Sequence, residues 1–222
     1  MDGAILAAIG VGTVLGGILL ATHIRRRGRA AALREHAAHR GWAYRAEVAF
    51  DSLPDLKRFE LFRPGRNRKL SNVMTSTPGS PRAVVFDYAY TTGGGNSQRR
   101  HHQTVFYTTR DDLSLPPFSL RPEHFLHRVA GAFGYQDIDI DGHPEFSRAF
   151  LLRGDDPAAV RSAFNHRVTA FLERRPRTCA AGVGRELLYW RPGRRVGTEE
   201  LAGFVEEGHE IARRFAGEGE GM

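Results

Sequence analysis

Arg99, Arg100, His101 and His102 stand together directly after the run Gly93-Gly94-Gly95-Asn96-Ser97-Gln98. Concentrated cationic donors beside flexible glycines suit an oxyanion, such as a phosphate or a lipid headgroup. The stretch from Gly93 to His102 joins two apolar runs. It is too long for a tight hairpin turn and reads as a mobile loop. Pro64-Gly65-Arg66-Asn67-Arg68-Lys69 is a second basic turn, so Arg66, Arg68 and Lys69 join the same candidate anion site. The plain alternative is a pair of solvated loops whose charge serves solubility. Both readings stand at this level.

Other spacings with chemical potential are weaker. Asp137-x-Asp139-x-Asp141-Gly142 opens like a calcium loop, but the twelfth position is Arg148 where a bidentate Glu is required. The same alternation fits a strand that turns Ile138 and Ile140 inward. His36-x-x-His39 and His124-x-x-His127 each place two imidazoles on one helical face, without the third ligand a metal site needs. No Gly-x-Ser-x-Gly elbow and no phosphate-binding P-loop is present. The single cysteine, Cys179, cannot form an intrachain disulfide, and in a strand it reads as a buried, inert thiol. No catalytic residue, cofactor or metal ligand is assigned.

The elements that must position these residues follow from periodicity. Val84, Phe86, Tyr88 and Tyr90 alternate with Val85, Asp87, Ala89 and Thr91, which marks a strand. Gln103–Thr108 is its hairpin partner. Pro116-Pro117 and Pro122 bracket a further strand at Phe118–Arg121. Phe146–Leu152 also reads as a strand, and His124–Phe133 as a short helix. Asp156 followed by Pro157 is a capped helix start. Val160, Phe164, Val168 and Phe171 carry that helix on to a stop at Pro176. Cys179–Val183 and Glu186–Trp190 form a hairpin about Gly184-Arg185. Thr198 caps a last helix whose buried face is Leu201, Phe204, Val205, Ile211 and Phe215. Strands in series followed by late helices predict an α+β fold built on a mainly antiparallel sheet.

At the head of the chain, Gly3–Thr22 is an uncharged, mostly apolar run. At roughly 1.5 Å per helical residue it would reach about 30 Å, the thickness of a bilayer's hydrocarbon core. Seven arginines and two glutamates between Arg25 and Glu47 follow it, which by the positive-inside rule puts the N-terminus outside and the remainder in the cytoplasm. Ala4, Ala8, Gly12 and Gly16 form a small-residue stripe suited to helix self-association, and hence to a homodimer through the transmembrane helix. The expected organisation is an anchor over 1–24, a basic juxtamembrane helix over 25–41, an α+β domain over 42–217 and a disordered tail over 218–222.

The formal net charge of +7 is concentrated in that basic neck, and the rest of the chain is only modestly basic. That argues against nucleic acid as a partner. Thirty of the 32 basic residues are arginine, the mark of a GC-rich bacterial genome rather than of a function.

Several ordered stretches carry a resemblance: Asn72-Val73, Phe86-Asp87-Tyr88-Ala89-Tyr90, Leu115–Glu123, Asp137–Ile140, Pro144–Ser147, Leu151–Gly154 and Leu187-Leu188-Tyr189. Together they resemble a group of functionally unassigned bacterial proteins with one N-terminal span and a cytosolic domain. The resemblance covers roughly residues 30 to 215 and implies no catalytic residue. The resulting expectation is an inner-membrane protein whose cytoplasmic domain binds another protein or assists a membrane complex. An anion- or headgroup-binding module is the alternative, and a hydrolase or transferase with an unrecognised site the third.

Overall fold

The computed structural model describes residues 20–218 apart from 22, 25, 54–55, 79–81 and 124–136. The described strands are β1 Ala43–Val48, β2 Arg66–Thr75, β3 Ala83–Thr92, β4 Arg99–Thr109, β5 Leu115–Pro122, β6 Phe150–Gly154, β7 Cys179–Gly184 and β8 Glu186–Trp190. They form one sheet in the order β1-β2-β3-β4-β8-β7-β5-β6. Every neighbouring pair is antiparallel. Helix α1 covers residues 26–39. Later come α2 Pro144–Ala149, α3 Pro157–Ala163, α4 His166–Glu173 and α5 Leu201–Phe215.

Both faces of the sheet are covered, and the period-two alternation of β3 shows how. Val85 packs into a core with Leu33 and Ala37 of α1, Phe146, Val160, Phe171 and the apolar side of α5. Val84, Phe86 and Tyr88 point the other way, into a second core closed by Leu56, Phe59, Leu61 and Phe62 from short 3-10 turns. A strand buried on both sides loses the polar alternation of a half-exposed one, and Ala83–Ala89 are buried without interruption. Helix α5 lies so close to β4 that a Cβ on Gly208 would stand 2.4 Å from the Phe106 ring. Its mid-helix glycine, normally a cost of about 1 kcal/mol, is therefore required by packing.

The expected transmembrane helix at the head of the fold is corrected here. No helix among the described residues is long and apolar enough to cross a membrane. The single-pass membrane placement, with its outside N-terminus and cytoplasmic domain, therefore has no support among the described residues. The basic cluster read as a membrane flank opens α1, which seats Leu33 and Ala37, 1% and 0% exposed, against the sheet. Positive charge after an apolar run is thus at least partly fold-borne. Residues 1–19 lie outside the described residues, and with them Ala4, Ala8, Gly12 and Gly16.

Other corrections are local. The segment 93–102 is not one loop: β4 begins at Arg99, and its ladder to β3 extends to the pair Thr92↔Arg99. Pro116 and Pro117 sit inside β5 rather than before it. They fall where the pairing with β7 shifts register, between Leu115 and Phe118, so their missing N–H groups cost no ladder bond. Phe146–Leu152 divides into the short helix α2 and strand β6. The helix that starts at Pro157 stops at Phe164, because Asn165 recaps the chain by accepting from the Arg167 and Val168 N–H groups. Helix α5 starts at Leu201 after Glu200, not at Thr198. The segment His124–Phe133 lies outside the described residues. Asp156 does cap α3, accepting from the Ala158 and Ala159 N–H groups.

Candidate anion-binding site

Asp87 is the organising group. It sits in the middle of β3 and is 2% exposed. A buried carboxylate costs several kcal/mol unless paired and hydrogen-bonded. Arg29 of α1 supplies a bidentate pair, Nε to Oδ2 at 2.8 Å and Nη2 to Oδ1 at 2.9 Å. Asn72 Nδ2 donates to Oδ2 at 2.9 Å, and the Thr104 hydroxyl donates to Oδ1 at 2.8 Å. An ionised carboxylate offers about four acceptor sites, and all are filled. Burial alone would raise the Asp87 pKa. The Arg29 hydrogen bonds and charge, with Asn72 and Thr104, outweigh that and hold it below the usual carboxylate range.

Each partner is placed by a specific backbone feature. Asn72 lies in the left-handed region at φ 52°, and the β2–β3 register shifts between Ser71 and Met74. Such a bulge re-aims a side chain, and asparagine is among the few residues that tolerate the conformation. Here it turns Asn72 toward Asp87, where the Tyr44 hydroxyl donates to its Oδ1 at 2.8 Å. Thr104 lies opposite Asp87 in the β3–β4 ladder and also accepts from the Val196 N–H at 3.0 Å. Arg29 donates a further bond to the Val196 carbonyl at 2.7 Å. One arginine thus ties α1, β3 and the segment before α5 together.

Beside this cluster is a cavity of about 340 Å3. Arg26 and Arg29 line it from α1, Lys69, Ser71 and Asn72 from β2, Ala46 and Glu47 from β1, Ala89 from β3, Arg100 from β4, and Arg195 from the segment before α5. Lys69 is held by Glu47 at 2.6 Å. Arg29 is committed to Asp87. Arg195 is 3.9 Å from Asp87 Oδ2, close enough for attraction but too far for a hydrogen bond. Its Nε is buried and has no acceptor among the described residues. Burial pushes the Arg195 guanidinium below its usual pKa. The Asp87 charge opposes that push, and the Arg29, Arg100 and Arg26 charges add to it. His102, on the same side of β4, is shifted toward its neutral form by burial first and then by Arg195 and Arg100.

The basic residues singled out in the sequence are divided by the pleat. Arg100 and Lys69 line the cavity. His101 points to the opposite face, where its ring stacks on Tyr90 at 4.7 Å and its Nε2 lies 2.8 Å from the Thr92 hydroxyl. Arg99 is exposed at the start of β4. Arg66 donates to the Gly93 carbonyl at 2.6 Å, which ties the two turns together away from the cavity. Arg68 lies over the Phe50 ring on the opposite face, 5.8 Å from its centroid.

Asp87, Asn72, Arg26, Arg29 and Arg195 were not assigned to a site in the sequence, where Asn72 and Asp87 carried only the resemblance and Arg26 and Arg29 only the basic neck. One signal was legible: a lone carboxylate in the apolar run Val84-Val85-Phe86-Asp87-Tyr88-Ala89-Tyr90. A strand buried on both faces cannot hold such a charge without a dedicated partner.

Cys179 is buried, 2% exposed, and burial pushes its thiol well above the usual range, away from the thiolate form that acts as a nucleophile. Asp137 accepts from the Leu152 N–H at 3.0 Å, tying the segment before α2 to β6. No group of three or more metal-ligating side chains occurs among the described residues.

No family model matches the chain, and no curated protein matches it. Among solved structures it is similar to the crystal structure of the mycobacterial trehalose monomycolate transport factor A, TtfA. The likeness covers 86% of this chain and 94% of that one, at 16% identity and a TM-score of 0.59. At that identity the shared property is the fold: an antiparallel sheet with helices.

Proposed function

We propose that this chain is a binding domain of accessory type whose ligand is an oxyanion, held in the cavity between α1 and strands β1 to β4. One observation carries the reading. The carboxylate at the centre of the site has every acceptor position filled, while Arg195 beside it keeps a buried Nε without an acceptor. Arg26 and Arg100 line the same cavity and form no ion pair among the described residues. Crowded guanidinium groups without acceptors repel one another, and an anion of matching geometry relieves that repulsion with charge-assisted hydrogen bonds.

Calorimetric titration of the full chain with inorganic phosphate tests this. Arg100→Ala and Arg195→Met are each expected to weaken binding by about tenfold, a loss of about 1.4 kcal/mol. Arg66→Ala and Arg99→Ala, outside the cavity, are expected to leave it unchanged. Binding that responds equally to all four substitutions would mean diffuse attraction to a basic surface and would remove the site.

A further inference from the structure

We infer that the oxyanion is a phosphate monoester rather than a phosphodiester or a carboxylate, a step that rests on the anion-binding reading above. Charge is the first argument. Five cations reach the cavity: Arg26, Arg29, Lys69, Arg100 and Arg195. Asp87 neutralises Arg29 and Glu47 neutralises Lys69. Three guanidinium groups remain, weakly offset by the longer Arg195–Asp87 approach of 3.9 Å. A phosphate monoester brings close to two negative charges at neutral pH, whereas a phosphodiester or a single carboxylate brings one.

Geometry is the second argument. The three remaining guanidinium groups come from three separate elements: α1, β4 and the segment before α5. Donors reaching one cavity from three directions match the three terminal oxygens of a monoester. A diester or a carboxylate exposes two oxygens, which one bidentate arginine satisfies, as Asp87 and Arg29 already demonstrate.

Volume is the third argument. A cavity of about 340 Å3 falls at the lower end of the roughly 300–1,000 Å3 range of small-molecule pockets. It therefore has room for an esterified group beyond the phosphate. Small residues provide that room: Ser71 lies opposite Glu47 and Ala89 opposite Lys69 on adjacent strands, and Ala46 lines the same cavity. The Ser71 hydroxyl is an uncharged polar group there suited to a hydroxylated substituent, whereas the Asn72 amide is already engaged by Asp87 and Tyr44.

The phosphate monoester could belong to a soluble metabolite or to a lipid headgroup, and the experiment separates the two. The full chain is titrated with glycerol 3-phosphate, with dimethyl phosphate and with succinate. It is then sedimented with phosphatidylcholine vesicles carrying equal mole fractions of phosphatidate or phosphatidylglycerol. Glycerol 3-phosphate is expected to bind at least about tenfold tighter than the diester and the dicarboxylate, with the preference lost in Arg195→Met. Retention on phosphatidate vesicles over phosphatidylglycerol vesicles, abolished by the same substitution, assigns the monoester to a lipid. Binding of the soluble ester without vesicle retention assigns it to a free metabolite. Equal affinity for monoester and diester, still dependent on Arg195, overturns this inference and leaves the anion site standing. Absence of binding to all three soluble anions and to both vesicles removes the anion site itself.

Discussion

Two arginine clusters flank the strands of this sheet, and they are balanced differently. In the one built on β8 and α5, every guanidinium has a carboxylate. Arg191 reaches both oxygens of Glu207 at 3.1 and 2.8 Å, and Arg194 grips Glu200 at 2.6 and 2.7 Å. Arg175 Nε lies 3.5 Å from Glu207, within ion-pair reach but, like Arg195 Nε, without a hydrogen-bond acceptor among the described residues, and the Tyr189 hydroxyl donates to Glu207 at 2.9 Å. In the cluster built on α1, β3 and β4, one carboxylate is saturated while further guanidinium groups crowd around it. The first cluster is closed: its charges end on one another and its work is to fasten α5 to the sheet. The second is open on the cation side, with Arg26 and Arg100 exposed and without ion pairs among the described residues, and this imbalance is what the anion-binding proposal rests on. What distinguishes glue from a binding site is the ratio of donors to acceptors in the arginine neighbourhood, not the number of arginines.

The largest expected break in this comparison is Asp87→Ala. It leaves Arg29 partly buried and without its carboxylate, and it adds Arg29 to the unneutralised cations. Removing one member of such a pair typically costs about 3–5 kcal/mol, to be read as a shift in the urea denaturation curve. A loss under about 1 kcal/mol would show that Arg29–Asp87 is not the fastening between helix and sheet. Truncating the closed cluster is expected to cost less. Glu207→Ala should lose about 2 kcal/mol, the scale of hydrogen bonds to charged groups, and leave phosphate binding untouched. A matching loss of phosphate affinity would mean the two clusters are coupled rather than separate.

Acid sharpens the same contrast. The Asp87 carboxyl is held below its unfolded-state value, so the folded protein binds that proton less readily. Its contribution is therefore fully present above the unfolded pKa of about 3.9 and is lost as pH falls through the folded value. The stability gap between the wild-type chain and Asp87→Asn should stay constant from neutral pH down to about 4 and then close. Urea midpoints measured across that range check this; a gap that closes well above pH 5 would place the relevant titration elsewhere.

How much of this was readable beforehand depended on the reach of the interactions involved. The Cys179–Trp190 hairpin, the Asp156 cap and the two faces of β3 are local patterns, set by residues a few positions apart, and they stood in the sequence. The Asn165 cap is equally local, yet the apolar spacing from Val160 to Phe171 continued straight through it and hid the break. The site was illegible for a different reason. Arg29 and Asp87 are 58 positions apart, and Thr104 and Val196 are 92 apart. No spacing rule brings those residues together. The basic run Arg99–His102 looked like one site because its residues are adjacent, but adjacency in a strand sends neighbours to opposite faces. Arg100 reached the cavity and His101 the far side.

The smallest expected change tests the comparison most directly. Arg191→Met removes a guanidinium whose carboxylates are in place, and should destabilise the fold by about 1–3 kcal/mol while stranding Glu207. Arg195→Met removes one whose acceptor is missing and keeps the apolar stem that packs at the cavity wall. It should change stability by less than about 0.5 kcal/mol, the range of substitutions that break no specific contact. Any change should be toward greater stability, because repulsion from Arg26, Arg29 and Arg100 is relieved. That gain should shrink in high salt, which screens exposed like charges within a Debye length of about 10 Å at 0.1 M. Denaturation of both variants at two ionic strengths separates the cases. If Arg195→Met instead costs as much as Arg191→Met, the approach to Asp87 at 3.9 Å is a working ion pair, and the open cluster is as closed as its neighbour.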